Sequence, residues 1–92
     1  MLVAGRAVKR LQKGLVKVEV LADLDRRVLA SVRITGDFFV YPEDSLWELE
    51  EELRGVDLER VRERVLDALQ KVRLVGATPE DFADAVEEAL RR

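Results

Sequence analysis

The stretch Arg33-Ile34-Thr35-Gly36-Asp37-Phe38-Phe39-Val40-Tyr41-Pro42-Glu43 restricts what this chain can become more than any other. An apolar alternation of period two runs up to Gly36, and Pro42 with Glu43 has the make-up of a helix start. Sheet must therefore give way to helix within a few residues. Four of the five aromatic residues, Phe38, Phe39, Tyr41 and Trp47, lie within ten positions of one another at this change. Large aromatic surfaces dominate core and interface energetics, so the corner either locks the fold or meets a partner.

Upstream, Val16, Val18, Val20, Ala22 and Leu24 fall on one face of a strand running from Gly14 to Leu24. Lys17, Glu19 and Asp23 take the other face, with Leu15 and Leu21 as exceptions, which is the pattern of a half-buried antiparallel strand. The polar run Asp23 to Arg27 connects it to a second strand, Val28 to Thr35. Alternation sets Val28, Ala30, Val32 and Ile34 inward and Leu29, Ser31, Arg33 and Thr35 outward. Leu2 to Val8 forms a short first strand in which Gly5 is a weak point or bulge. Gly36 ends the alternation and Asp37 follows as a turn brace, its carboxylate accepting backbone N–H groups.

Downstream the period changes to that of helices. The first opens at Pro42, or three residues later if Ser45 and Glu48 form a capping box. Its stripe is Leu46, Leu49 and Leu53, and Gly55 stops it. Asp57 caps a second helix, Leu58 to Val72, with the stripe Leu58, Val61, Val65, Leu69 and Val72, closed by Gly76. Thr78-Pro79-Glu80-Asp81 starts a third that buries Phe82, Val86, Ala89 and Leu90. The order predicts an α+β fold: a small antiparallel sheet of two to three strands, followed by three helices packed on one face.

Residues 1–92 suffice for a single domain, which at this size buries about 60–65% of its extended surface and has no room for a deep pocket. Cysteine and histidine are both absent, which removes disulfides, thiolate nucleophiles, Cys/His zinc sites and imidazole acid–base catalysis. No phosphate-binding glycine loop, dinucleotide fingerprint or paired-carboxylate spacing is present. The opening residues lack the basic lead and apolar run of a signal peptide, and nothing approaches a membrane span, so a cytoplasmic protein without membrane contact is expected. Absence of asparagine and preference for arginine over lysine point to a thermophilic source. Net charge is −3, unevenly placed: through Tyr41 eight basic residues face four acidic, a charge of +4, and the remainder has eight against fifteen, −7. An acidic balance without a recognition motif argues against nucleic acid as partner. The basic lead is a solvated edge or an anion-facing surface.

Val32-Arg33-Ile34-Thr35-Gly36-Asp37-Phe38-Phe39 with Pro42-Glu43, preceded by Lys13-Gly14-Leu15-Val16-Lys17-Val18-Glu19-Val20, resembles the accessory domain of lipoate–protein ligases. The likeness runs from Lys9 to the end. The family pattern has Gly-Lys before the Leu-Val of the opening strand, where this chain has Lys13-Gly14, an exchange that moves a side chain to the opposite face. The resemblance implies a small, non-catalytic subunit of a two-chain ligase. It would be needed with a large catalytic subunit for ATP-dependent formation of lipoyl-adenylate, before the lipoyl group passes to a lysine of an acceptor protein. It implies no cofactor held by this chain alone, with ATP, lipoate and magnesium belonging to the complex. The alternative is a stand-alone interaction or scaffold module of the same fold.

The expected partner surface comprises Lys13, Lys17, Gly36, Asp37, Phe38, Phe39 and Tyr41, and the basic residues Lys9, Arg10, Lys13 and Lys17 would face the catalytic subunit. Phe38 and Phe39, being consecutive, must diverge if the chain stays extended. One ring would join Leu46, Leu49 and Trp47 in the core and the other would look towards a partner. A bulge at Gly36 would decide which.

Overall fold

A computed structural model describes residues 1–91. Its elements are β1 (Leu2–Leu11), β2 (Gly14–Asp23), β3 (Val28–Gly36), β4 (Phe39–Tyr41), α1 (Ser45–Leu53), α2 (Val61–Leu69), β5 (Arg73–Val75) and α3 (Pro79–Leu90). β1, β2 and β3 form an antiparallel sheet in that order, and β4 and β5 pair separately as a two-stranded ribbon. The architecture is α+β, with the buried faces of the three helices closing on one side of the sheet.

The inner face of β2 supplies Val16, Val18, Val20 and Ala22, all buried as alternation requires. Beside them lie Ala7 of β1 and Val32 and Ile34 of β3, facing Phe82, Ala85, Val86 and Ala89 of α3. α3 starts as its sequence demands. The Thr78 hydroxyl accepts from the Asp81 N–H, the Asp81 carboxylate accepts from the Thr78 N–H, and Pro79 takes the first turn.

Several expectations are corrected. β1 extends to Leu11 instead of stopping at Val8, because it pairs with β2 over its whole length through the turn at Gln12 and Lys13. Gly5 is no bulge: it sits in regular register opposite Val20. A Cβ there would lie 2.0 Å from the carbonyl oxygen of Ala89, so its missing side chain lets α3 approach β1. Leu24 is 45% exposed, lying one residue past the end of β2 at the edge of the sheet.

Leu29 is fully buried, although alternation set it outward. The β2–β3 register shifts between Leu21 and Ala22, which pair with Ser31 and Leu29 and leave Ala30 as an extra residue. That bulge inverts the phase of everything before it.

The Ser45 capping box does not form. Asp44 is the N-cap of α1 without a side-chain hydrogen bond, and Ser45 is buried. Trp47 is 63% exposed, so it is not a core residue. The second helix is shorter than its periodicity suggests. Leu58–Arg60 is a 3-10 turn, Asp57 makes no side-chain cap, α2 ends at Leu69, and Arg73–Val75 is strand.

Candidate functional site

The corner is a brace. The Asp37 N–H donates to the Leu15 carbonyl at 2.9 Å, and the Asp37 carboxylate accepts from the Leu15 N–H at 3.2 Å. Asp37 thus clamps the end of β3 onto the start of β2, reaching across the sheet instead of to its own turn. A Cβ at Gly36 would lie 2.3 Å from the Leu15 carbonyl oxygen and 2.7 Å from the Phe38 ring, so the clamp closes only around glycine. A Cβ at Gly76, in the loop before α3, would lie 3.6 Å from the Asp37 carbonyl oxygen and 3.8 Å from the Phe38 Cβ, so this loop runs alongside the corner.

The two phenylalanines diverge. Phe38 is half-buried and meets Phe82 edge-on, with ring centroids 4.9 Å apart at 86°, a favourable aromatic geometry. Phe39 is 65% exposed. It begins β4, where Phe39 pairs with Val75 and Tyr41 with Arg73, so cross-strand neighbours share one face of the ribbon. Phe39, Tyr41, Val75 and Arg73 are all exposed there, while the intervening Val40 and Leu74 are half-buried on the other side. The result is a contiguous apolar patch beside a cation, held by a rigid corner. Such patches on small domains mark contact sites.

The basic residues expected at this surface separate. Lys13 occupies the β1–β2 turn and borders a shallow groove with Gln12, Gly76, Ala77, Thr78 and Asp81, at the corner's end of the domain. Lys17 lies on the sheet face turned away from the helices, between Val8 and Thr35. Lys9 points inward and its ammonium contacts Asp84 at 2.7 Å and Asp81 at 3.1 Å. Arg62 joins Asp84 at 2.8 Å and Glu87 at 3.0 Å. The Asp84 hydrogen bond, then that of Asp81, holds the Lys9 pKa above its usual value against the opposing effect of burial. Hydrogen bonds from Lys9 and Arg62 hold the Asp84 carboxyl below the ordinary carboxylate value. Burial pushes Asp81 up, and the Thr78 N–H, Lys9 and the Thr78 hydroxyl outweigh it downward. Lys9 is therefore a staple between β1 and α3, not a docking charge.

Arg73 and Val75 are not singled out by the sequence, which predicts a second helix running to Val72 and closed at Gly76. The patch offers apolar area and charge. Among the described residues no carboxylate cluster is placed to hold a metal ion, and no helix is long and apolar enough to cross a membrane.

Residues 6–86 match the family described as the bacterial lipoate protein ligase C-terminus. A curated relative from Thermoplasma acidophilum, lipoate-protein ligase A subunit 2, is 41% identical over 76 residues, which cover 82% of this chain and 79% of the relative. A solved structure superposes with a TM-score of 0.84 at 34% identity, covering 94% of this chain and 97% of the other. That structure is described as part of an archaeal lipoylation system, a bi-partite lipoate protein ligase and its E2 lipoyl domain, from the same organism. With the family match spanning most of its length, the chain belongs to the family of lipoate protein ligase C-terminal domains.

Proposed function

We propose that this chain is the accessory subunit of a two-chain lipoate–protein ligase. It acts with a large catalytic subunit that binds ATP, lipoate and magnesium, and it is required for lipoate adenylation before transfer to an acceptor lysine. The relationship to a protein named as a second ligase subunit carries this reading. The chain's own chemistry supports it: with neither histidine nor cysteine, it has the make-up of a protein that completes another's site. The surface for the large subunit is the ribbon face of Phe39, Tyr41, Val75 and Arg73, held in place by Gly36, Asp37 and Phe38, with Lys13 at the same end of the domain. Lys17 belongs to a different face. The complex works in the cytoplasm.

The test is lipoate-dependent exchange between ATP and pyrophosphate by a candidate large subunit. Exchange should rise strongly when the two chains are mixed and fall with Phe39→Ala. Equal exchange with and without this chain would sink the adenylation role and leave an interaction module.

A further inference from the structure

The sheet treats its two edges differently. The Leu24 N–H donates to the Met1 carbonyl at 2.9 Å, which marks Met1 and Leu24 as a hydrogen-bonded antiparallel pair. Alternation carries that assignment through Val3–Ala22, Gly5–Val20, Ala7–Val18 and Lys9–Val16 to Leu11–Gly14. In β2 the intervening residues then face β3, as the bonds of Leu15 to Asp37 require. In β3 the N–H of Ile34 is turned to the outer edge, where the Glu50 carboxylate of α1 accepts it at 2.7 Å. The same edge is closed further on by Leu29 N–H to Val56 and Gly55 N–H to Leu29, at 2.9 and 2.7 Å.

Among the described residues the outer edge of β1 has no such cover. By the same alternation, Leu2, Ala4, Arg6, Val8 and Arg10 direct their N–H and C=O groups away from β2. None of these groups has a hydrogen-bond partner among the described residues. The edge is ten residues long, in unbroken register and without proline. From Ala4 onward its outward residues alternate apolar and basic, with Val8, 55% exposed, between Arg6 and Arg10, and Leu2 at its start is 58% exposed. Glu19 approaches Arg6 only to 4.0 Å, with both exposed, and Glu88 of α3 shares a shallow hollow with Arg6 and Val8. Uncovered edges of this kind are templates for another strand.

We infer that β1 accepts an extended acidic segment of the large catalytic subunit as a fourth strand of the sheet, a proposal that rests on the function proposed above. Charge selects this occupant over a second copy of the chain. The lead from Met1 to Val18 contains no acidic residue, so β1 against β1 sets positive strands together, and in full-length overlap Arg6 faces Arg6. Like charges directly opposite destabilise a strand pair, and unlike charges stabilise it. An antiparallel strand reading acid-x-apolar-x-acid places its carboxylates beside Arg6 and Arg10 and its apolar side chain beside Val8. Main-chain hydrogen bonds give such additions their affinity, and the alternate side chains their choice of partner.

Amide exchange of this chain, followed residue by residue on adding the large subunit, is the test. Strand addition slows the amides of Ala4, Arg6, Val8 and Arg10, while those of Val3, Gly5, Ala7 and Lys9, bonded to β2 already, change little. Val8→Pro removes an edge donor without touching an existing bond, and should weaken association at least tenfold at unchanged melting. Should Val8→Pro melt early, the double variant Arg6→Glu/Arg10→Glu decides, with the same loss expected. A wild-type chain that binds the large subunit with no alternating protection, or folded variants that bind as wild type does, overturns strand addition alone. A wild-type chain that does not bind overturns this inference together with the proposed function. Self-association through β1 at micromolar concentration overturns the choice of occupant.

Discussion

Replacing each of the two adjacent phenylalanines separates what holds the corner from what the corner presents. Phe38 is half-buried, with its ring edge-on to the fully buried Phe82 at 4.9 Å. A fully buried phenylalanine replaced by alanine costs about 3–5 kcal/mol. Half of the transfer contribution, with an aromatic pair worth about 0.5–1.5 kcal/mol, brings Phe38→Ala to ~2–3 kcal/mol. In a domain of this size each kcal/mol moves the melting temperature by about 4–8 °C, so the variant should melt roughly 10–20 °C early. Phe39 is 65% exposed and pairs across the ribbon with the exposed Val75, so Phe39→Ala should stay within about 0.5 kcal/mol of wild type. Circular dichroism melts and guanidinium titrations of the isolated chain measure both, and isothermal titration against the large subunit reads the second role. There Phe39→Ala should weaken binding by more than ~1 kcal/mol, as the loss of an aromatic anchor does. Two variants melting within a few degrees of each other would refute the division of labour. So would a Phe39→Ala chain that binds as wild type does.

Gly5→Ala puts a methyl group 2.0 Å from the Ala89 carbonyl oxygen, where both sides are backbone, so α3 must lift from β1. A loss of about 1–3 kcal/mol in guanidinium titration is expected, and a variant within 0.5 of wild type contradicts the close approach. Asp84→Asn breaks the link between Lys9 and Arg62. Because these pairs are partly exposed and screened, the loss is at most ~1 kcal/mol at neutral pH and shrinks with added salt. The folded carboxyl lies below its ordinary 3.8, so its contribution is present above that value and disappears as pH falls through the lower folded value. Lys9, raised above 10.5, keeps its contribution until pH climbs past that point. A difference between wild type and variant that persists unchanged at pH 2 would rule out the ionic origin.

The parts legible in the sequence were those set by local chemistry. The inner faces of β2 and of β3 from Val32 onward, the start of α3 at Thr78 and the buried stripe Val61, Val65 and Leu69 follow from periodicities and caps read within a few residues. The divergence of Phe38 and Phe39 also followed, because consecutive residues of an extended chain must point apart. What the tertiary structure alone decided depends on pairs far apart in the chain. Ala30 is an extra residue only relative to β2, so the sequence of β3 carries no sign that Leu29 turns inward. Arg73, Leu74 and Val75 satisfy a helical pattern as well as a strand's, and pairing with Phe39, Val40 and Tyr41 settles the choice. Lys9 resembles any basic edge residue until α3 brings Asp84, 75 positions away, to its ammonium. Cover for a sheet edge is likewise decided by packing, since Glu50 reaches Ile34 only once α1 has docked, whereas α3 packs on the inner face of β1 and, among the described residues, leaves the outward groups of that edge without partners.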